Sequence, residues 1–244
     1  MEEFDKRGLT IDDIAYMLDP SALKLDTSFS DIVEMTEACK KFPFGCCFSW
    51  PCYYDRLPDL LKGTKTLFGV SLGFPSGQEP TSFKVFQARQ FMEYRPAEVD
   101  MVMNIGLLKS KSYQEAIKDI CAVKNEIGST SLKVIIESML LNDEEIETAC
   151  KIVMEAGADY VKTGTGFSVN NPTTIHEVVT IMKIVQGRLK VKVAGGVRDL
   201  STLLKMHELG VSRFGVGYKS ALSIMNEAVE VISSHHASGQ PKGR

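Results

Sequence analysis

Residues 132–167 read LKVIIESMLLNDEEIETACKIVMEAGADYVKTGTGF. Residues 132–137 form a compact aliphatic run of strand length. Residues 142–156 then read as a helix, with Asn142 or Asp143 as its cap and Gly157 as its stop. Residues 160–163 form a second strand that runs into a Gly/Thr loop. Strand, helix and strand within roughly 30 residues make a parallel β–α–β unit.

The unit recurs on both sides. Upstream, strands are predicted over 67–72 and 99–103. Helices follow them over 81–95, with Phe83, Phe86, Gln87 and Phe91 at helical spacing, and over 109–127, closed by Gly128. Downstream come a helix from about 172 to 185, a strand over 189–194, a helix over 200–209, a strand over 212–216 and a helix over 219–233. Near the start, residues 9–18 suit an amphipathic helix with Thr10 as N-cap. Residues 17–25 supply a short strand or turn, in which Asp19 either faces a site or begins a loop, the loop being slightly favoured. A helix capped by Ser30 or Asp31 follows, with Ile32, Met35, Thr36 and Cys39 along one face. Next come a buried strand over 44–49, between Pro43 and Pro51, and a helix over 53–62. Eight strands alternating with helices in this length favour a closed (β/α)8 TIM barrel, with a short helix ahead of the first strand, over an open sheet. The strands are apolar on both faces, as a barrel under helices requires. No GxGxxG follows the first strand, which counts against a dinucleotide fold. No linker or composition shift divides the chain, so residues 1–244 are expected to be one domain, with a tail of about 234–244 lacking fixed structure.

Composition bounds the function. The chain has 244 residues, and its net charge of −3 with no long basic block argues against a nucleic-acid binder. The opening MEEFDKRGLT lacks the apolar run of a signal peptide, and no apolar stretch approaches the roughly 20 residues that span a bilayer. A cytoplasmic protein without membrane partners is expected. The six cysteines are then expected to be reduced thiols. Cys46, Cys47 and Cys52 cluster, but no second cluster or histidine pair accompanies them, so neither a metal nor a cofactor is expected.

Barrel sites lie at the C-terminal ends of the strands. Lys162 sits in the strand before the Gly/Thr loop, and Lys192 sits in the next one. Burial lowers a lysine's pKa and a second cation lowers it further, which is a route to an amine nucleophile for carbonyls. Along their strand Asp100, Val102 and Asn104 share a face, as do Lys190, Lys192 and Ala194. If Asp100, Lys133, Lys162 and Lys192 all point inward, the barrel holds one acid among three cations. That is either a catalytic constellation or an ion-pair layer, and Lys133 alone reads more simply as a holder of Asp100. Gly195 and Gly196 after the seventh strand, and Gly215 and Gly217 at the eighth, suit backbone contacts to phosphate. Thr163, Gly164 and Lys219 complete the candidate substrate-binding set.

VDMVMNIGLLKS (99–110), LKVIIES (132–138), GADYVKTGTGF (157–167), VKVAGGVRD (191–199) and GFPSG (73–77) occur in an order and spacing that resembles the deoxyribose-phosphate aldolases. The resemblance spans roughly residues 10–232. It implies a class I, metal-free aldolase that reversibly cleaves 2-deoxy-D-ribose 5-phosphate to acetaldehyde and glyceraldehyde 3-phosphate, and a homodimer is compatible with it. It implies Lys162 as the Schiff-base lysine, Asp100 and Lys192 as the proton-relay pair, and Lys133 as a lysine kept close to that aspartate.

The chain departs from the family pattern in four places. Asp19-Pro20-Ser21 replaces Asp-His-Thr or Asp-x-Thr, and Phe48 stands where a cysteine is common. Gly164 replaces a serine. Gly215-Val216-Gly217-Tyr218-Lys219-Ser220 replaces the Gly-x-Ser-Ser loop that takes the phosphate. Lys219 or Tyr218 is expected to substitute for the missing hydroxyls; otherwise the substrate carries a different tail or no phosphate. A non-catalytic binding barrel is the third alternative, disfavoured by the inward charges.

Overall fold

The computed structural model describes residues 8–167 and 172–238. Eight parallel strands close into a barrel in sequence order. They are β1 (Leu18–Ala22), β2 (Cys46–Ser49), β3 (Leu67–Leu72), β4 (Glu98–Val102), β5 (Ser131–Ile135), β6 (Tyr160–Lys162), β7 (Lys190–Ala194) and β8 (Arg213–Gly217). Helix α1 (Ile11–Met17) precedes β1. The outer layer is built from α2 (Phe29–Lys41), α3 (Leu57–Leu60), α4 (Thr81–Met92), α5 (Ile105–Lys109), α6 (Tyr113–Ile127), α7 (Asp143–Glu155), α8 (Ile175–Val185), α9 (Leu200–Glu208) and α10 (Tyr218–Ser238).

Local chemistry sets the helix starts. Thr10, Ser28, Asn142 and Thr174 each cap a helix and receive a returning carboxylate from three residues on, so two orphan N–H groups are satisfied at each start. For α2 the cap is Ser28, not Ser30 or Asp31; Asp31 is the returning carboxylate, 2.9 Å from the Ser28 amide.

The apolar core lies between sheet and helices. Val99, Met101, Leu132, Val134, Val161, Val191, Val193 and Phe214 are buried on the outward face of the strands, in one core cluster with Ile146, Cys150, Val153, Val178 and Ile181 of helices α7 and α8. Each such side chain contributes roughly 1.5–3 kcal/mol. The inner face of the barrel is therefore free to carry charge.

Four expectations are corrected. Asp19 begins no loop; it is the second residue of β1 and fully buried. The helix expected over 109–127 is two helices, broken where Lys111 takes a left-handed φ of 59°. The helix expected over 53–62 is a 3-10 turn (Pro51–Tyr53) followed by the four-residue α3. The last helix continues to Ser238, into the stretch expected to lack structure, and residues 239–244 lie outside the described residues. Among the described residues no helix is long and apolar enough to cross a membrane.

Candidate active site

Strand register brings the charged residues together. Asp100 pairs with Lys133 across β4 and β5, Lys162 with Lys192 across β6 and β7, and Lys192 with Arg213 across β7 and β8. Lys162 Nζ lies 2.7 Å from Asp100 Oδ2, and Lys192 Nζ lies 2.8 Å from the same oxygen. Lys192 Nζ also lies 2.7 Å from Asp19 Oδ2. Behind them Lys133 Nζ bonds Glu98 and lies 3.4 Å from Asp19 Oδ2. Arg213 bonds Asp19 through Nη2 and reaches Glu98 Oε1 at 3.2 Å through Nη1. The Cys46 amide donates to Asp19 Oδ1 at 3.0 Å.

The layer thus holds three carboxylates and four cations rather than one acid and three cations. Lys133 holds Glu98 and Asp19 and makes no hydrogen bond to Asp100. Asp19, Glu98 and Arg213 were missing from the sequence-based set. Glu98 was findable, since it shares the inward face of Asp100 two residues on. So was Arg213, which stands two before Gly215. Asp19 is legible as a residue that could face a site, but Pro20 makes the strand read as a turn and favours the loop.

The ammonium groups have unequal surroundings. Burial lowers the Lys162 pKa most; Asp100 opposes this, Lys192 and Lys133 add to it, and the result is about 8. Burial would raise the Asp100 carboxyl, but Lys162, Lys192 and Lys133 outweigh it and hold the group at about 2. Burial likewise opposes ionisation of Asp19, and Lys133, Lys192 and Arg213 overcome it to hold that carboxyl far below its usual range. Lys133 goes the other way: despite burial, Asp19, Asp100 and Glu98 push it above the ordinary lysine range. At pH 7 about a tenth of Lys162 is neutral amine, against roughly one in several thousand for an ordinary lysine.

Phe48 forms one wall. Its ring centroid is 4.1 Å from Lys192 Nζ and 5.9 Å from both Lys162 Nζ and Lys133 Nζ. Gly69 makes room for it, since a Cβ there would come within 2.4 Å of the ring. Toward the mouth, Trp50, Phe74 and Phe167 meet edge to face with centroids 5.4–5.9 Å apart.

The other expected residues fall in different places. Thr163 does not face substrate with its hydroxyl: that group donates to the Ala194 carbonyl at 3.1 Å and accepts from the Ala194 amide at 3.0 Å and Thr173 at 2.9 Å. A hydroxyl has one proton and two lone pairs, so this one is saturated and staples β6 to β7. Gly164 is buried beside Met139, whose Cε would be 2.6 Å from a Cβ. Gly195 and Gly196 have left-handed φ values of 88° and 104°, which select glycine at the end of β7.

Gly215 lies below the mouth, against the lysine stems: a Cβ there would be 3.1 Å from Ala194 Cβ and 3.3 Å from Lys192 Cε. Gly217 is exposed, with open space around it. The structure does not bring the Tyr218 hydroxyl to the lysines; it bonds Asp31 Oδ1 at 3.0 Å and Glu34 Oε2 at 2.7 Å on α2. Lys219 lines an outer groove of about 700 Å³ between α2 and α10, with Val33, Glu37 and Leu222.

A cationic inner layer with one lysine of depressed pKa at the C-terminal end of a barrel strand suits amine chemistry on a carbonyl. Comparison with known proteins agrees. The family description "DeoC/LacD family aldolase" matches residues 15–217. The deoxyribose-phosphate aldolase of Clostridium kluyveri is 37% identical over 216 residues, which cover 88% of this chain and 98% of that one. That of Lysinibacillus sphaericus is 39% identical over 213 residues, covering 87% and 94%. The solved structure "QR15, an Aldolase" superposes with a TM-score of 0.84 at 34% identity, covering 92% of this chain and 98% of that one. The chain belongs to the DeoC/LacD family of aldolases.

Proposed function

We propose that Lys162 is the imine-forming lysine of a class I aldolase, with Asp100 and Lys192 as its proton-handling partners. The enzyme is a carbon–carbon lyase that reversibly cleaves 2-deoxy-D-ribose 5-phosphate to acetaldehyde and D-glyceraldehyde 3-phosphate. Relatives named for that reaction match along nearly the whole chain. The observation that carries the residue assignment is the sharing of Asp100 Oδ2 by Lys162 and Lys192.

The neutral Lys162 amine attacks C1 of the open-chain sugar. The adduct loses water and becomes an iminium, which draws electrons from the C2–C3 bond. That bond breaks as the C3 hydroxyl gives up its proton, and glyceraldehyde 3-phosphate leaves. The remaining enamine takes a proton at C2, and water then hydrolyses the iminium to release acetaldehyde. Asp100 stays ionised throughout the neutral range and is the base for these transfers, acting through a water. Its Oδ1 has no hydrogen-bond partner among the described residues and is the oxygen open to that water. Lys192, held between two carboxylates, supplies the positive charge beside the amine and the proton that Asp100 relays.

Gly195, Gly196 and Gly217 with the N-terminal turn of α10 are the backbone groups proposed for the phosphate. Tyr218 and Lys219 are left out of that set, because both engage α2 or its groove. This favours a second reading, the same chemistry on an unphosphorylated or differently tailed substrate. The proposal extends to a cytoplasmic site of action, consistent with the free cysteines, and to a second copy of the chain as partner, to be read by sedimentation.

Borohydride reduction in the presence of deoxyribose 5-phosphate, followed by peptide mapping, tests the assignment: the adduct should be on Lys162, and an adduct elsewhere overturns it. Parallel cleavage assays with phosphorylated and unphosphorylated deoxyribose separate the two substrates.

A further inference from the structure

Lys84 of α4 and Asp119 of α6 form an ion pair at 2.6 Å in the layer between sheet and helices, with side chains 0% and 3% exposed. Thr81 Oγ1, in the first turn of α4, donates to the other Asp119 oxygen at 2.7 Å. Each ion gives up its hydration there, and apolar side chains of similar volume commonly hold two helices as well. Adhesion between α4 and α6 is therefore a poor account of the pair.

The ammonium has a further contact. Lys84 Nζ lies 3.3 Å from the carbonyl oxygen of Val102, the last residue of β4. The pairing of β3 with β4 ends at Leu72 and Met101, and the chain then turns away at Gly73, whose φ is 61°. On its other side β4 stays paired with β5 through Val102 and Ile135, and the Met103 amide donates to the Ile135 carbonyl at 3.0 Å. Neighbouring residues of a strand direct their backbone groups to opposite sides, so the Val102 carbonyl points to the side that β3 has left. Lys84 fills that place. Its stem passes Gly73, where a Cβ would lie 3.2 Å from Lys84 Cε. Three residues on, Gln87 Oε1 accepts from the Gly73 amide at 3.2 Å. One face of α4 thus holds the ends of both strands at the mouth of the barrel.

Asp100 stands two residues before Val102 in β4, with Oδ2 shared by Lys162 at 2.7 Å and Lys192 at 2.8 Å. We propose that Lys84 is a positioning residue for proton transfer: its bond to the Val102 carbonyl fixes the end of β4, and so the reach of the Asp100 carboxylate toward a carbon bonded at Lys162. Apolar residues in place of Lys84 and Asp119 would pack the helices but leave that carbonyl unheld. The inference rests on Lys162 and Asp100 having the roles assigned above.

Two readouts separate position from folding. Borohydride with acetaldehyde counts the imine formed at Lys162. In heavy water the same imine gives up a C2 proton to the base, becomes an enamine, takes a deuteron at C2 and is hydrolysed, so acetaldehyde gains deuterium in its methyl group. Lys84→Met combined with Asp119→Leu removes both charges and the bond to Val102 together. This double variant should trap acetaldehyde to the yield of the unmodified protein. Its exchange rate, and its kcat for deoxyribose 5-phosphate, should fall at least about tenfold with KM little changed, since a misplacement of about 1 Å costs up to about 100-fold. Asp119→Asn leaves Lys84 on Val102 and should keep its exchange rate even where urea melts show lost stability. Equal exchange per trapped imine in the double variant and the unmodified protein overturns the proposal. Where the double variant does not fold, Lys84→Gln, shorter and uncharged, is judged by the same criterion. A loss in Asp119→Asn as large as that in the Lys84 variants also overturns it, because activity would then follow the ion pair and not the carbonyl. Trapping without exchange in the unmodified protein removes Asp100 as the base, and absence of trapping removes Lys162; both are failures of the underlying reading.

Discussion

Asp19 and Asp100 are tied together by one ammonium: Lys192 Nζ lies 2.7 Å from Asp19 Oδ2 and 2.8 Å from Asp100 Oδ2. Asp100 in turn holds Lys162, and Asp19 is anchored by Arg213. The lysine assigned to imine chemistry is thus the outer end of a chain that runs Arg213, Asp19, Lys192, Asp100, Lys162. Its position is determined by residues of five strands.

Asp19→Asn should loosen that chain. Three cations lose part of their compensation, and breaking a buried ion pair typically costs about 3–5 kcal/mol. Misplacement of Lys192 should lower kcat by up to about 100-fold with a smaller effect on KM. Urea unfolding and steady-state kinetics on the same preparation check both. A variant of unchanged stability would mean that Asp19 is dispensable to the layer.

Lys162 and Lys133 should respond oppositely to replacement by Met. The folded pKa of Lys162, about 8, lies below the value of about 10.4 for an unfolded lysine, so folding disfavours its charged form. That penalty is in full force below pH 8 and fades as pH rises toward 10.4. Its size is on the order of 3 kcal/mol, already net of the attraction and hydrogen bond of Asp100. Lys162→Met should abolish trapping while leaving stability at pH 7 equal or higher. Lys133→Met takes one buried cation from both Glu98 and Asp19 and should lose about 3–5 kcal/mol. Paired urea melts decide this, and equal losses in both variants would refute the assigned division of labour.

The rate of imine formation should rise with pH through about 8, because only the neutral amine attacks. Lys192→Leu removes one cause of the depressed Lys162 pKa and should move that midpoint toward alkaline pH. Trapping rates across pH 6–10 measure it; coincident profiles would refute the tuning of Lys162 by Lys192. At the acid end the sign reverses. The Asp100 carboxyl is depressed to about 2, so its contribution to stability is complete above about 3.9 and is lost as pH falls toward 2.

How much of this was legible in the sequence depended on periodicity. The strand over 67–72 and the strands carrying Lys133, Lys162 and Lys192 stood out as apolar runs between capped helices, and the barrel followed from their number. Alternation showed which residues share a face within each strand, but that Asp100, Lys162 and Lys192 all point inward was a condition it could not settle. Nor could it give the partners of those residues, because pairing across a closed barrel depends on register and stagger, which no local pattern carries. Hence Lys133 was tied to Asp100 when it bonds Glu98, and Asp19, before a proline, was taken more readily for a loop residue. The loop after β8 misled for another reason. Tyr218 and Lys219 look available in sequence, but α10 begins directly at Tyr218 and turns both residues toward α2.

Gly215 and Gly217 should therefore behave differently. Gly215→Ala crowds Ala194 and the Lys192 stem and should lower kcat for phosphorylated and unphosphorylated substrates alike. Gly217→Ser meets open space and restores a hydroxyl where the resembled family has one, so it should lower KM for deoxyribose 5-phosphate only. Kinetics on the two sugars separate these outcomes; a phosphate-specific defect in Gly215→Ala would return that glycine to the phosphate site.

The contact of Asp19 with Arg213 also bears on the order of events during synthesis. One residue leaves the ribosome with the first strand, the other with the last. Until Arg213 emerges, Asp19 and Glu98 lack a cation on which both depend, and the barrel lacks the strand that closes it. Neutralising the inner layer and sealing the barrel are one step, which the nascent chain can take only once β8 has emerged. Growing chains pass through a long open-edged stage in which strand edges and unpaired acids are exposed together, the stage at which chaperone contact matters most.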